Sequence, residues 1–179
     1  MPFCNTLSNA TSPILIDNVN IAAGNKEQIQ AVIESNTIPP LIQLLSNVEF
    51  DIRKEAACAI SNALVGGDDL QIKFLVQKGC IRPLCALLTR SENEINAIVL
   101  KGIERILQLD EVEARANNTP NQIAIHVSEA EGGLSKIEEL RQHCKDIHEK
   151  SINILETYFG VLEVEERTLI APSISISFN

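Results

Sequence analysis

The sequence predicts an all-α fold, a solenoid of stacked helical repeats, and two observations lead there. The first is internal repetition. Ile38-Pro39-Pro40-Leu41-Ile42-Gln43-Leu44-Leu45 returns 43 residues later as Ile81-Arg82-Pro83-Leu84-Cys85-Ala86-Leu87-Leu88. The same offset pairs Gln28-Ile29 with Gln71-Ile72, Val32-Ile33 with Leu75-Val76, and Ala59-Ile60 with Gly102-Ile103. A fainter third copy sets Gly132, Leu134, Ile137 and Leu140 against Gly79, Ile81, Leu84 and Leu87, after a longer insertion. The second observation is composition. Of 179 residues 45% are hydrophobic, yet Trp is absent, Tyr occurs once and Phe five times, so the core must be built from Ile, Leu, Val and Ala. A short helical unit cannot bury its apolar face alone, and stacking copies of it does.

Each repeat reads as two short helices and a longer third one. Residues 26–34 form the first helix and 38–45 the second, where Pro40 is tolerated because the first turn has spare N–H groups. The third runs over 49–65 and is closed by Gly66-Gly67. The next repeat gives 68–78, 81–89 and 93–109, and the last gives 121–130, 133–142 and 144–159. Residues 13–23 read as the third helix of a preceding repeat. The expected organisation is therefore an unstructured start over 1–12, repeats over 13–160 (13–23, 26–65, 68–109, 121–160), and a tail over 161–179. The acidic stretch 110–120 reads as a loop. The alternation Ser173-Ile174-Ser175-Ile176-Ser177-Phe178 has no partner strand and reads as part of the tail.

Charge narrows the function classes. The net charge is −9, unevenly spread: residues 1–109 carry 11 acidic and 9 basic side chains, residues 110–179 carry 13 and 6. A pI near 4.8 argues against nucleic acid or an anionic membrane as the main partner and suits a basic ligand. No apolar run approaches the length of a membrane span. Met1 to Asn20 lacks the charged n-region of a secretory signal. Cys4, Cys58, Cys80, Cys85 and Cys144 are an odd, scattered set and read as reduced thiols. The sequons at Asn9 and Asn117 are then coincidental.

A period of 43 residues falls in the range of armadillo and HEAT repeats, about 40–47. The residues themselves are more specific. Ala22-Ala23-Gly24-Asn25-Lys26-Glu27-Gln28-Ile29-Gln30-Ala31-Val32-Ile33, followed by Ile38-Pro39-Pro40-Leu41-Ile42, resembles the C-terminal armadillo repeats of importin α (karyopherin α). So do Lys54-Glu55-Ala56-Ala57, Ala59-Ile60-Ser61-Asn62, Gln71-Ile72-Lys73-Phe74-Leu75-Val76, Gly79-Cys80-Ile81-Arg82-Pro83-Leu84-Cys85 and Ile154-Leu155-Glu156-Thr157-Tyr158-Phe159-Gly160. The resemblance covers about residues 20–160. It implies a right-handed superhelical armadillo solenoid, truncated to about three repeats plus one preceding helix. It also implies a receptor for nuclear localisation signals in nuclear protein import, shuttling between cytoplasm and nucleus. The acidic half, 110–160, corresponds to the family region that engages the nuclear export receptor of importin α. The importin-β-binding segment and the early repeats are expected to be absent.

Receptors of this family hold an extended Lys/Arg-rich peptide along the face lined by third helices. An Asn amide, with one acceptor and two donors, holds the peptide backbone without reading its sequence. A Trp one turn earlier walls the aliphatic stem of Lys or Arg, and an acidic residue meets the charged head. By this resemblance Asn62 matches the Asn and Glu55 the acidic residue, with Cys58 at the Trp position. In the helix over 13–23, Asn20 matches the Asn and Ile16 occupies the Trp position. In the next repeat Lys101 and Arg105 stand where the family tends to place an acidic residue and Asn, so binding of basic peptides is expected to be weak.

Each assignment has a plainer counterpart. Asn62 reads also as a helix-end cap or a solvated side chain, Glu55 as a partner of Lys54 or of Arg53 and the solvent, and Cys58 as a small buried or half-buried filler. His143, Cys144 and His148 share a helix, but two ligands one turn apart do not make a structural zinc site, so no metal is expected. No phosphate loop, nucleophile elbow or zincin motif appears, and neither an enzyme nor a cofactor is expected. The rival to a signal receptor is a structural helical-repeat chain with no cargo-binding activity.

Overall fold

The structure is a computed structural model that describes residues 25–47 and 49–160. Ile16, Asn20, the start over 1–12, the helix expected over 13–23 and the tail over 161–179 lie outside the described residues.

Nine helices make up three short-short-long sets among the described residues. The first set is α1 (Lys26–Glu34), α2 (Ile38–Leu44) and α3 (Phe50–Gly66). The second is α4 (Asp69–Gln77), α5 (Ile81–Leu87) and α6 (Asn93–Asn117). The third is α7 (Gln122–Glu129), α8 (Gly133–Glu139) and α9 (Lys145–Ile154). Short 3₁₀ turns at Ala130–Gly132 and Leu140–Gln142 join the last three helices, and a π-helical turn, Leu155–Phe159, continues α9. No described residue is in a strand. The fold is an all-α repeat solenoid.

The repeat is visible in local chemistry as well as in apolar pattern. Asn25 caps α1 through a capping box: its Oδ1 accepts from Gln28 N at 3.0 Å, and Gln28 Oε1 accepts from Asn25 N at 2.9 Å. Asp68 and Gln71 rebuild the same box at the start of α4, at 3.0 and 3.1 Å. The turns leaving α1 and α4 place Asn36 (φ 56°) and Gly79 (φ 84°) in the left-handed region, and Gly132 (φ 68°) does so in the third set. Gln71, almost fully buried, donates to Lys26 O at 2.9 Å and to Gln30 Oε1 at 3.1 Å, which fixes α4 against α1.

Long helices stack on long helices. The largest contact is α3 on α6, and α6 in turn packs on α9. Ala56, Ala59, Ile60, Ala63 and Leu64 of α3 and Val99, Leu100, Ile103, Ile106 and Leu107 of α6 lie in one aliphatic core with 1% exposure or less. The two helices approach closely where small residues meet. A Cβ added at Gly102 would stand 3.0 Å from Ser61 Oγ and 3.2 Å from a Leu64 methyl. Gly67 is needed for space too, not for a left-handed turn. It follows α3 in an extended conformation (φ −73°), and a Cβ there would lie 2.6 Å from Ala63 O.

One expectation fails. Residues 110–117 are not a loop; α6 continues through them to Asn117 and stops at Asn118, whose φ is 53°. The charges that suggested a loop are partnered. Glu111 pairs with Arg115 one turn on at 2.6 Å, and Glu113 pairs with Lys73 of α4. Ala114 is buried, and Asp110 Oδ2 accepts from Ile123 N at 2.8 Å and Ala124 N at 3.4 Å. That carboxylate caps α7, whose own N-cap, Asn121, makes no side-chain bond.

Candidate functional site

With one side of α3 and α6 committed to the core, the opposite side forms an open face running across both helices. On α3 the core takes Ala56, Ala57, Ala59, Ile60, Ala63 and Leu64, so the 3.6-residue period turns Asp51, Cys58, Asn62 and Val65 outward. Cys58, Asn62 and Glu55 are half-buried, while Asp51 and Val65 are exposed. On α6 the outward row is Glu94, Lys101, Arg105, Gln108 and Val112; Arg105 is half-buried and the others exposed. The structure thus brings Glu55, Cys58 and Asn62 together on one helix face, with Lys101 and Arg105 on the outer face of the neighbouring helix.

Asn62 is not a cap. Helix α3 runs four residues past it, to Gly66, and the C-cap is Gly67. Its amide forms no hydrogen bond to another described residue. Buried Asn96 of α6 shows the other fate of an Asn: Oδ1 accepts from Thr89 N at 3.1 Å and Nδ2 donates to Thr89 O at 2.6 Å, tying down the turn after α5.

Ion pairs join the helices along this face. Lys54 of α3 pairs with Glu94 of α6, which holds the Glu94 carboxyl below the usual carboxylate range and raises the Lys54 ammonium. Arg53 reaches Glu92 at 3.4 Å, and Arg105 reaches Asp69 of α4 at 3.4 Å. Glu104 of α6 accepts from Lys150 at 2.5 Å and from Asn153 at 3.0 Å, both on α9. Lys54 is therefore engaged by Glu94 and Arg53 by Glu92, and the Glu55 carboxylate adds only a smaller pull on the Lys54 ammonium. Glu55 and Lys101 form no ion pair or hydrogen bond among the described residues. The Cys58 thiol is pushed up first by partial burial and then by the Glu55 carboxylate, so it is a poor nucleophile.

His143, Cys144 and His148 do not share a helix: α9 begins at Lys145 with Cys144 as its N-cap, and His143 and His148 serve turns. His143 Nε2 lies 2.6 Å from Arg90 O, and His148 Nδ1 lies 2.5 Å from Arg141 O. Among the described residues no three His, Cys, Asp or Glu side chains gather as a metal site, and no helix is long and apolar enough to cross a membrane. Sequence reasoning missed the role of Asp110. Its signal, a carboxylate spaced before an uncapped helix, becomes legible only once α6 is known to continue.

Comparison with known proteins identifies the repeats. Residues 25–65 match the Armadillo/beta-catenin-like repeat and residues 121–173 match the Atypical Arm repeat. The chain is 46% identical over 149 residues to importin subunit alpha-5 of Arabidopsis thaliana, covering 83% of this chain and 28% of that protein. It is 50% identical over 134 residues to importin subunit alpha-1b of Oryza sativa subsp. japonica, covering 74% and 24%. The chain thus spans about a quarter of the length of these relatives. Among solved structures, a designed armadillo repeat protein in complex with the peptide (KR)4 superposes with a TM-score of 0.68 at 28% identity, over 85% of this chain and 61% of that one. The chain belongs to the armadillo-repeat proteins, and its repeats are related to the C-terminal repeats of importin α.

Proposed function

We propose that this chain contributes a peptide-binding surface to a nuclear localisation signal receptor, working in nuclear protein import and passing between cytoplasm and nucleus. The observation that carries the reading is the unengaged Asn62 amide on the open face of α3, with Glu55 on the same side. An extended peptide offers alternating N–H and C=O groups, and a primary amide meets either. The Glu55 carboxylate meets a cationic head two turns away from Asn62. Relatedness to importin α subunits and the likeness to a designed armadillo protein that holds (KR)4 support this assignment. By the same relatedness, the acidic third repeat is the surface offered to the nuclear export receptor of importin α.

A second reading, a structural helical-repeat chain without cargo binding, draws on two observations. The family's aromatic wall is replaced by Cys58, and Lys101 with Arg105 opposes basic side chains on the next helix. The two readings separate in a titration of a fluorescent Lys/Arg-rich peptide. Under the receptor reading the peptide binds, and Asn62→Ala loses about 0.5–1.5 kcal/mol for each backbone hydrogen bond removed. Binding that is equal in the parent and the variant refutes the role of Asn62.

A further inference from the structure

Charge on the open face is not uniform, and the ion pairs show where it is left unbalanced. Lys54 is satisfied by Glu94, and Glu104 by Lys150, both across helix boundaries. Those pairs cancel locally. What remains on α3 is negative: Asp51 and Glu55 have no ion-pair partner among the described residues. What remains on α6 is positive. Lys101 is exposed and has no partner among the described residues, and one turn on Arg105 meets only Asp69, whose side chain is 66% exposed, at 3.4 Å. An exposed pair of that kind is weak, so the guanidinium stays open to a second carboxylate.

Resting on the reading of this face as a peptide-binding surface, we propose that its preferred ligand is an extended peptide of mixed charge. It sets a Lys or Arg side chain over Glu55 of α3 and an Asp or Glu side chain over Lys101 and Arg105 of α6. The separation follows from geometry. Packed helices lie roughly 8–10 Å apart, and because Gly102 abuts Ser61 the charges of α6 also stand roughly 8–14 Å further along the axis than Glu55, so the opposed side chains are about four to five residues of extended chain apart. Asn62, two turns beyond Glu55 on the same face of α3, holds the backbone alongside. A uniformly basic peptide places one of its charges against Lys101 and Arg105, and that contact costs what the mixed peptide gains. Negative charge beside Lys101 on its own helix does not cancel it, because Glu94 and Glu104 are already held by Lys54 and Lys150.

The test uses the full chain at low ionic strength and three kinds of labelled peptide of equal length. One is all-basic, one is all-acidic, and one carries Lys and Glu about four to five positions apart in both chain orders. One order of the mixed peptide is expected to bind about 5-fold more tightly than the all-basic peptide, the size of an exposed charge pair of about 1 kcal/mol. The difference shrinks as salt is raised. Lys101→Glu is expected to reverse the preference and Lys101→Gln to abolish it, and a melt of each variant checks that it is folded. If the all-basic or the all-acidic peptide binds the parent at least as tightly as both mixed orders, the inference is overturned. Loss of affinity in Asn62→Ala would then leave the peptide-binding reading standing. If none of the peptides binds the parent, the peptide-binding reading falls and the mixed-charge inference with it.

Discussion

Replacing Cys58 by Trp tests whether the outer side of α3 is a binding surface. Ala57 and Ala59, its neighbours in sequence, are 0% and 1% exposed, whereas Cys58 is half-buried on the opposite side of the helix. A ring at position 58 therefore points away from the aliphatic core. It stands one turn before Asn62 and within one turn of Glu55, roughly 5–6 Å between Cβ atoms. Lys54 is the chain's own competitor for the ring, but its ammonium is drawn across to Glu94 on α6. The stem of a peptide Lys or Arg can then lie on the indole with its charge towards Glu55. The cation–π and stem-packing terms together give about 1–2 kcal/mol, or roughly 5- to 30-fold in affinity. Stability should change by no more than about 0.5 kcal/mol, as for an outward-facing substitution. Fluorescent-peptide titration and thermal melting of parent and Cys58→Trp measure both quantities. A variant destabilised by about 1–3 kcal/mol with unchanged affinity is the behaviour of an overpacked core, and it would refute the placement of this face.

Three further outcomes follow from the packing. Asn96→Ala removes both hydrogen bonds to the Thr89 backbone from a fully buried site and is expected to cost about 2 kcal/mol, lowering Tm by roughly 4–8 °C; an unchanged melt would show that the turn does not depend on it. Burial pushes the Cys80 thiol up to about 12 and the Cys85 thiol up to about 11. Both should resist alkylation in the folded chain while exposed Cys144 reacts, as mass spectrometry of the labelled protein can show. The same burial carries a pH signature. The unfolded chain releases these protons from about pH 9 and the folded chain does not, so the folded state binds more protons and stability falls as pH rises from 9 towards 12. A melting temperature that holds constant over that range would contradict the burial of these thiols.

Much of this was written in the sequence because it is periodic. A 43-residue offset that returns Ile-Pro-Pro-Leu as Ile-Arg-Pro-Leu fixes a helical-repeat class, since each short unit is apolar on one face and only a neighbour can cover it. Local chemistry repeats on the same register, so Asn25 with Gln28 and Asp68 with Gln71 start equivalent helices. Spacing alone also puts Glu55, Cys58 and Asn62 on one side of a helix, because three and four residues make one turn. What spacing does not contain is which groups are already spent. The acidic run 110–117 looks like a loop until Lys73, Arg115 and the N-terminus of α7 supply its partners, two of which lie on other helices. Glu94 and Glu104 count as negative charge in the sequence, and only stacking brings Lys54 and Lys150 to them. Sequence period set the helices and their faces, because backbone geometry is local. Tertiary packing decided that Asn62, Glu55 and Lys101 form no ion pair or hydrogen bond among the described residues, because such a contact depends on distances between helices that no local pattern records.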